Sequence, residues 1–436
     1  MNKKIRYRTV PVEQFDATGA LEGWSPTVTV VVAIDVAKTK FVAAISASAG
    51  DTPDLVAWEH PRQTAVFLEL IGTLATAGRQ VVAVLEPTGT YGDALRHQLS
   101  SRSVEVRRVS PKQVHDAAEL LDGVPSKHDA KDARLISWLH FQGKSHPWPP
   151  ANKAQRMLRA LVDERELYFR PMQAALGMLE ALNARHFPEL GRAFDVPRRR
   201  SLSAVLEAFP APADIARDPE AVRSVLRKAS HGQLTRRADE LVAIAMSSTG
   251  APMDEHDKRL VQHVVREVRR CQLELDRVDA EIKGAVDVPP LAPLRDVLGP
   301  VTTAVIVAHL GSPADYGSAA AFQKACGLNL KERSSGQHIG KLHITKRGPG
   351  IVRKYLYLAA LRLVQSDPVV RAWYLARAAH RAEAKSKAVI AVVRKLALAL
   401  VHVARGAPFD AARLFDTRRL DSSASPDTPT FTEAAA

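Results

Sequence analysis

The sequence is short of cysteine, of unbroken apolar runs and of any leader of the secretory kind. Its 436 residues include two cysteines, Cys271 and Cys326, far apart and in no metal-ligand spacing. That excludes a disulfide framework and a thiolate zinc site, and it points to a reducing compartment. The first eight residues are basic but lack the apolar core of a signal peptide. The most apolar late run, residues 388–404, is interrupted by Arg394 and Lys395, so it is not read as membrane-spanning. No membrane partner is expected, and the expected location is the bacterial cytoplasm, at the nucleoid.

Basic charge is what the chain has in excess. The formal net charge is +14, and residues 291–415 carry 19 Lys and Arg against 6 Asp and Glu, nearly the whole surplus. A basic surface of this kind favours an anionic polymer as partner. Hydrophobic residues make up 46%, ample for ordinary packed cores in two or three domains.

Patterning divides the chain into an α/β part and an all-α part. Residues 1–27 have no clear periodicity and read as a flexible arm. Residues 28–145 alternate strand patterns (28–35, 40–46, 55–59, 80–86, 104–109) with helix patterns (63–77, 91–101, 111–121, 129–142), which predicts a mixed sheet. Residues 146–290 are helical, and Leu260, Val264, Val268, Cys271, Leu275, Val278 and Ile282 recur at steps of four and three. Such a seam fits one long core helix or a coiled-coil arm that dimerises or spans domains. Residues 291–410 read as a compact, mostly helical C-terminal domain. Residues 411–436 end rich in Ser, Thr, Pro and Ala and read as a disordered tail.

Four acids carry the chemistry. The run Val30-Val-Val-Ala-Ile34 is a buried-strand pattern that stops on Asp35, and Val81-Val-Ala-Val-Leu85 stops on Glu86 in the same way. A carboxylate at a buried strand end needs a cation or a hydrogen-bond network. Asp129 and Asp132 lie three apart on a helix pattern and share a face, although acids in a first helical turn are also favoured by the helix dipole alone. Jointly the four suit hard divalent ions, Mg²⁺ or Mn²⁺, clamping a phosphodiester. Lys38 and Lys127 lie close by in sequence and can steady the phosphate.

The words around these acids, Ile34-Asp-Val-Ala-Lys38, Glu86-Pro-Thr-Gly-Thr-Tyr91 and Lys127-His-Asp-Ala-Lys-Asp-Ala133, resemble the DEDD transposases (recombinases) of a bacterial insertion-sequence family. His128 stands where that family usually has Thr. The resemblance implies an RNase H-like (RuvC-like) fold for residues 28–145. It also implies donor and target DNA as substrates, a guiding bridge RNA, and a homo-oligomer, dimer or tetramer, in which neighbouring subunits combine their sites.

A second word lies in the basic half: Arg333-Ser-Ser-Gly336, Gly340, Lys341, Ile344-Thr-Lys-Arg-Gly348 and then Arg353-Lys354. By residue type alone it is a flexible turn, or a phosphate loop lined by Arg333, Lys341, Lys346, Arg347, Arg353 and Lys354. The family resemblance extends to its C-terminal transposase domain, and implies that Ser335 (or its neighbour Ser334) attacks DNA to form a phosphoserine-linked intermediate. The stretch from Leu294 through Gly299-Pro300 to Gly311 resembles a helix-hairpin-helix, which offers backbone N–H groups to a DNA phosphate. Two other readings stand beside the RNA-guided recombinase. One is a non-enzymatic helix-hairpin-helix DNA-binding protein with inert acids. The other is an actin-like kinase, which shares the strand, acid and hairpin at its start but needs a Gly-rich adenosine segment that the second half lacks.

Overall fold

The computed structural model describes residues 7–415, save 88, 125, 194–199, 233, 333–339, 341 and 379–381. The chain forms two compact units, residues 1–151 and 152–436. The first is built on a mixed sheet and the second is helical apart from one small ribbon, as the patterning predicts.

In the first unit the strands are β1 (Val10–Pro11), β2 (Val30–Asp35), β3 (Lys40–Ser46), β4 (Asp54–Glu59), β5 (Val81–Leu85), β6 (Glu105–Arg108) and β7 (His146–Pro147). Their order across the sheet is β1-β4-β3-β2-β5-β6-β7. The β2–β3 and β3–β4 pairs are antiparallel hairpins, whereas β2–β5 and β5–β6 are parallel. The helices are α1 (Ala17–Leu21), α2 (Thr64–Leu74), α3 (Asp93–Ser101), α4 (Pro111–Asp116) and α5 (Asp129–Phe141).

Both faces of the central strands are covered, which is why β2 and β5 show no polar alternation. Val30, Val32 and Ile34 join one core with Phe67, Ile71 and Leu74 of α2 and Leu95 and Leu99 of α3. Val31 and Ala33 join the other with Ala133, Leu135, Ile136 and Leu139 of α5. Fully burying one such leucine contributes about 2 kcal/mol. A buried hydroxyl contact, Ser46 Oγ to Ser137 Oγ at 2.9 Å, pins α5 to β3.

Residues 7–27 depart from the expected flexible arm. β1 pairs in parallel with β4, Val12 and Leu21 are buried in the core, and Asp16 caps α1 by accepting from the N–H groups of Thr18 and Gly19. A two-residue strand and a five-residue helix are too short to leave a periodic trace in sequence.

In the second unit α6 (Lys153–His186) and α12 (Glu255–Val286) are each about 50 Å long. They run antiparallel: Arg165 Nε meets Asp279 Oδ1 at 2.6 Å, and His186 packs opposite Asp257. Val268, Cys271 and Leu275 of α12 pack on Met172 and Leu176 of α6, so the heptad-like seam is spent within the chain. One expected seam position is corrected: Leu260 is 41% exposed, and its neighbour Val261 is the buried residue. Between these long helices lie α7 (Leu190–Ala193), α8 (Arg200–Ala208), α9 (Pro212–Arg217), α10 (Pro219–Ala229) and α11 (Thr235–Met246), which share a core with Leu179 and Leu182 of α6.

The C-terminal part comprises α13 (Ala292–Leu298), α14 (Pro300–Leu310), α15 (Ala319–Ala325), the ribbon strands β8 (Leu330–Lys331) and β9 (His343–Ile344), α16 (Gly350–Ser366), α17 (Pro368–Ala378) and α18 (Ala382–Ala404). Their core takes in Leu158 and Val162 of α6 and Val278, Ile282 and Val286 of α12. Residues 411–415 are also packed rather than disordered: Leu414 and Phe415 are buried, and Phe415 stacks on Trp373 at 4.3 Å. The rest of the expected tail, 416–436, lies outside the described residues.

Candidate active site

Pleat and register bring the first two acids together. β2 and β5 are parallel neighbours with Ile34 opposite Leu85, so Asp35 and Glu86 occupy the next step at the C-terminal ends of the two strands. Side chains of a strand alternate in direction. Val31 and Ala33 on β2, and Val82 and Val84 on β5, face α5. Asp35 and Glu86 continue those two rows and fall on the side that α5 covers.

α5 supplies the other two acids from its first turn, Asp129 and Asp132. Asp132 is 7% exposed, held down by the flanking Ala130 and Ala133 in the core. The helix is capped by His128, whose Nδ1 accepts from Lys131 N at 3.2 Å. The imidazole thus does for this helix what a hydroxyl cap would do.

The charges of the other three acids all bear on Asp35. Burial, then the charges of Asp132, Asp129 and Glu86, push the Asp35 carboxyl up to about 7. Burial also raises Glu86, with Asp132 adding to the rise and Lys127 opposing it. Asp132 is raised by burial and by Asp129, against Lys127, His128 and Lys131. Lys127 is the cation that bears on all three of these carboxylates, with His128 and Lys131 adding at Asp132, whereas Lys38 stands exposed in the β2–β3 turn.

Among the described residues, no three His, Cys, Asp or Glu side chains converge closely enough to hold a metal ion as they stand. Burial raises Asp35 first, and the like charges of Asp132, Asp129 and Glu86 add to it against Lys127. The donor chemistry itself fits a hard divalent cation: four carboxylates from three elements, with neither thiolate nor imidazole ligands required.

The shift at Asp35 gives a stability prediction. A folded-state pKa of about 7 against 3.8 for the free group means that the folded protein holds this proton more tightly. The contribution favours folding at pH values below the free value and is withdrawn as pH rises through about 7. Thermal melts of the metal-free protein are expected to decline over that interval, and Asp35→Asn to flatten the decline and to melt higher at pH 8. Equal pH slopes in the two proteins would contradict the buried acid cluster.

One buried cation escaped the sequence reading. Lys131, between the two helix acids, is fully buried. Its Nζ donates to Asp122 Oδ1 at 2.8 Å, to Val124 O and to Ser126 Oγ at 3.5 Å. Asp122 also accepts from Tyr7 Oη at 2.7 Å, and these contacts, Lys131 first, hold its carboxyl well below the usual range.

The basic word of the second unit is organised by a close approach. β8 and β9 pair Leu330 with Ile344 and Lys331 with His343. Arg333, Ser334, Ser335, Gly336 and Lys341 lie outside the described residues. Downstream, a Cβ at Gly348 would stand 2.3 Å from Ala325 O, so only glycine lets this loop pack on the end of α15. Arg353 fastens the same loop, with Nη1 donating to Gly348 O at 2.7 Å and Cys326 O at 3.3 Å; its observed partners are protein carbonyls. Lys346 and Arg347 are exposed beside it, and Lys354 Nζ lies 4.2 Å over the Phe169 ring and near Glu166.

The helix-hairpin-helix resemblance also has a structural counterpart. Gly299, at φ 77°, is both the C-cap of α13 and the N-cap of α14, a conformation that favours glycine. Arg362 packs against this turn, donating to Val297 O at 2.6 Å.

Comparison with known proteins decides the family. Residues 32–188 match the model of the IS110-type DEDD transposases, described as a transposase, and residues 296–375 match that of the IS116/IS110/IS902 transposase family. Together the two matches cover more than half of the chain. The chain belongs to the IS110 family of DEDD transposases. An uncharacterized 42 kDa protein of insertion element IS900 from Mycobacterium paratuberculosis is 25% identical over 364 residues, 79% of this chain and 88% of that protein. The pilin gene-inverting protein of Moraxella bovis is 32% identical over 102 residues, 23% of this chain and 31% of that protein. The transposase is thus a DNA recombinase, and the kinase and inert-scaffold readings fall away. Among its described residues no helix is long and apolar enough to cross a membrane.

Proposed function

We propose that this transposase cuts and rejoins DNA through two cooperating sites. Asp35, Glu86, Asp129 and Asp132 would hold Mg²⁺, with Mn²⁺ as a substitute. The observation that carries this reading is the Asp35 carboxyl, half-buried at a strand end, raised first by that burial and then by three other acids from two further elements. A divalent ion bound there supplies Lewis-acid stabilisation of the charge that develops on a phosphodiester. The chain's own part is to present the carboxylates from two neighbouring strand ends and one helical turn, with Lys127 near them as a phosphate contact.

Ser335, or Ser334 if the register is one residue earlier, is the nucleophile of the second site. Its Oγ forms a bond to phosphorus as the bond to one strand oxygen breaks, and a strand hydroxyl later reverses that exchange. Because a phosphodiester bond is conserved as a phosphoserine ester, no external energy source is needed. Lys346 and Arg347, with Arg333, Lys341 and Lys354, neutralise phosphate around it, and Arg353 braces the loop. We assign residues 28–145 to the RuvC-like nuclease domain, 146–290 to the helical middle and 291–410 to the transposase domain. The working form is a dimer or tetramer on donor and target DNA.

Target choice is assigned to a guide RNA, which base-pairs with DNA while the protein holds its backbone and shape. The surplus of positive charge after residue 291 supports a polyanion in that role. The test is to purify the protein from cells carrying its own flanking DNA. The expected result is a co-purifying RNA complementary to donor and target, with cleavage lost on removing either that RNA or divalent ions. Site-directed cleavage by RNA-free protein would refute the guide.

A further inference from the structure

We propose that Lys131 is a positioning residue of the acid site, its buried ammonium tying the segment before α5 to that helix and so fixing where Lys127 stands. The inference rests on the acid-site reading above and deepens it. A lysine with no exposed surface is unusual on a first helical turn that otherwise carries site acids. Its Nζ reaches Asp122, Val124 and Ser126, three positions spread over the segment that ends in Lys127 and the cap His128. Asp122 is itself locked, accepting from Val124 N at 3.1 Å and from Tyr7 Oη. The Tyr7 ring then meets the His128 ring edge-on at 4.6 Å.

Lys127 has no such anchor of its own: its side chain is exposed, and its backbone follows directly on Ser126. Without the strap, a lysine on a loop would sample many positions, at an entropic cost to any placement against a phosphate. With it, the charge of Lys127 bears on Asp35, Glu86 and Asp132 together. Lys131 touches neither substrate nor ion in this account; its own charge bears on Asp132, and its positioning role works through its neighbour.

The test is a double-mutant cycle in the full chain with its RNA. Lys131→Met keeps the length of the side chain and removes its three donors. The expected result is a loss of on the order of tenfold to a hundredfold in cleavage, the scale of a misplaced site group. The same substitution should then add little in a Lys127→Ala background, because both changes remove one contact. Hydrogen exchange across residues 122–128 should quicken in Lys131→Met. Should the carboxylate left unpaired prevent folding, Lys131→Met with Asp122→Asn enters the same cycle. Effects that multiply independently, or unchanged exchange in a folded variant, would overturn the proposal. Asp35→Ala, run alongside, separates the two failures: cleavage retained there overturns the acid site itself, whereas independent effects with Asp35→Ala inactive overturn only the role of Lys131.

Discussion

Asp35→Ala is expected to lower DNA strand cleavage by on the order of a thousandfold while leaving the fold intact. Removing a single preorganised charge-stabilising group from a reaction centre costs on that scale, and Asp35 is the acid that the other three all act upon. The fold survives because the β2 core is made by Val30 to Ile34, all buried, and not by the acid that follows them. Relieving a half-buried, repelled carboxylate should even raise the melting temperature of the metal-free protein, a familiar exchange of stability for function at active sites. Gel assays of strand cleavage beside circular-dichroism melts check both halves. Cleavage persisting in a folded Asp35→Ala protein would remove the acid from the chemistry.

Ser335→Ala is expected to abolish the covalent protein–DNA adduct while divalent-ion binding stays as in the parent protein. The substitution removes one hydroxyl from the basic word of the second half and leaves all four carboxylates of the first in place. Denaturing gels of trapped reactions with end-labelled DNA would show the adduct. An adduct that persists in Ser335→Ala and disappears in Ser334→Ala moves the nucleophile by one residue. Persistence in both variants excludes the serine mechanism.

The acids were legible in sequence for a definite reason, and so were the limits of that reading. Two uninterrupted apolar runs each ending on a carboxylate betray buried strands whose last residue is polar. The same uninterrupted burial hides which face each acid takes, because β2 and β5 are covered on both sides and lack polar alternation. Only the parallel register of Ile34 with Leu85, and the packing of α5 over Val31, Ala33, Val82 and Val84, show that Asp35 and Glu86 turn towards the same helix.

Lys131 shows the opposite case. In sequence, Asp129-Ala-Lys-Asp132 is an ordinary charged first turn, and a lysine there reads as solvated. Its burial depends on Asp122 and on Tyr7, and Tyr7 belongs to a segment that has no periodicity of its own. The long helix α12 was evident from its repeat, but its partner was not. An apolar seam states that something covers it, and the antiparallel α6 of the same chain covers this one.

The most direct measurement is a titration of Mn²⁺ into the protein, followed by electron paramagnetic resonance. The account predicts saturable binding in the parent chain that disappears in Asp35→Asn with Glu86→Gln, a pair of substitutions that keeps side-chain size and removes two charges. Binding of equal affinity and stoichiometry in the substituted protein would show that the ion, if it has a site, has it elsewhere.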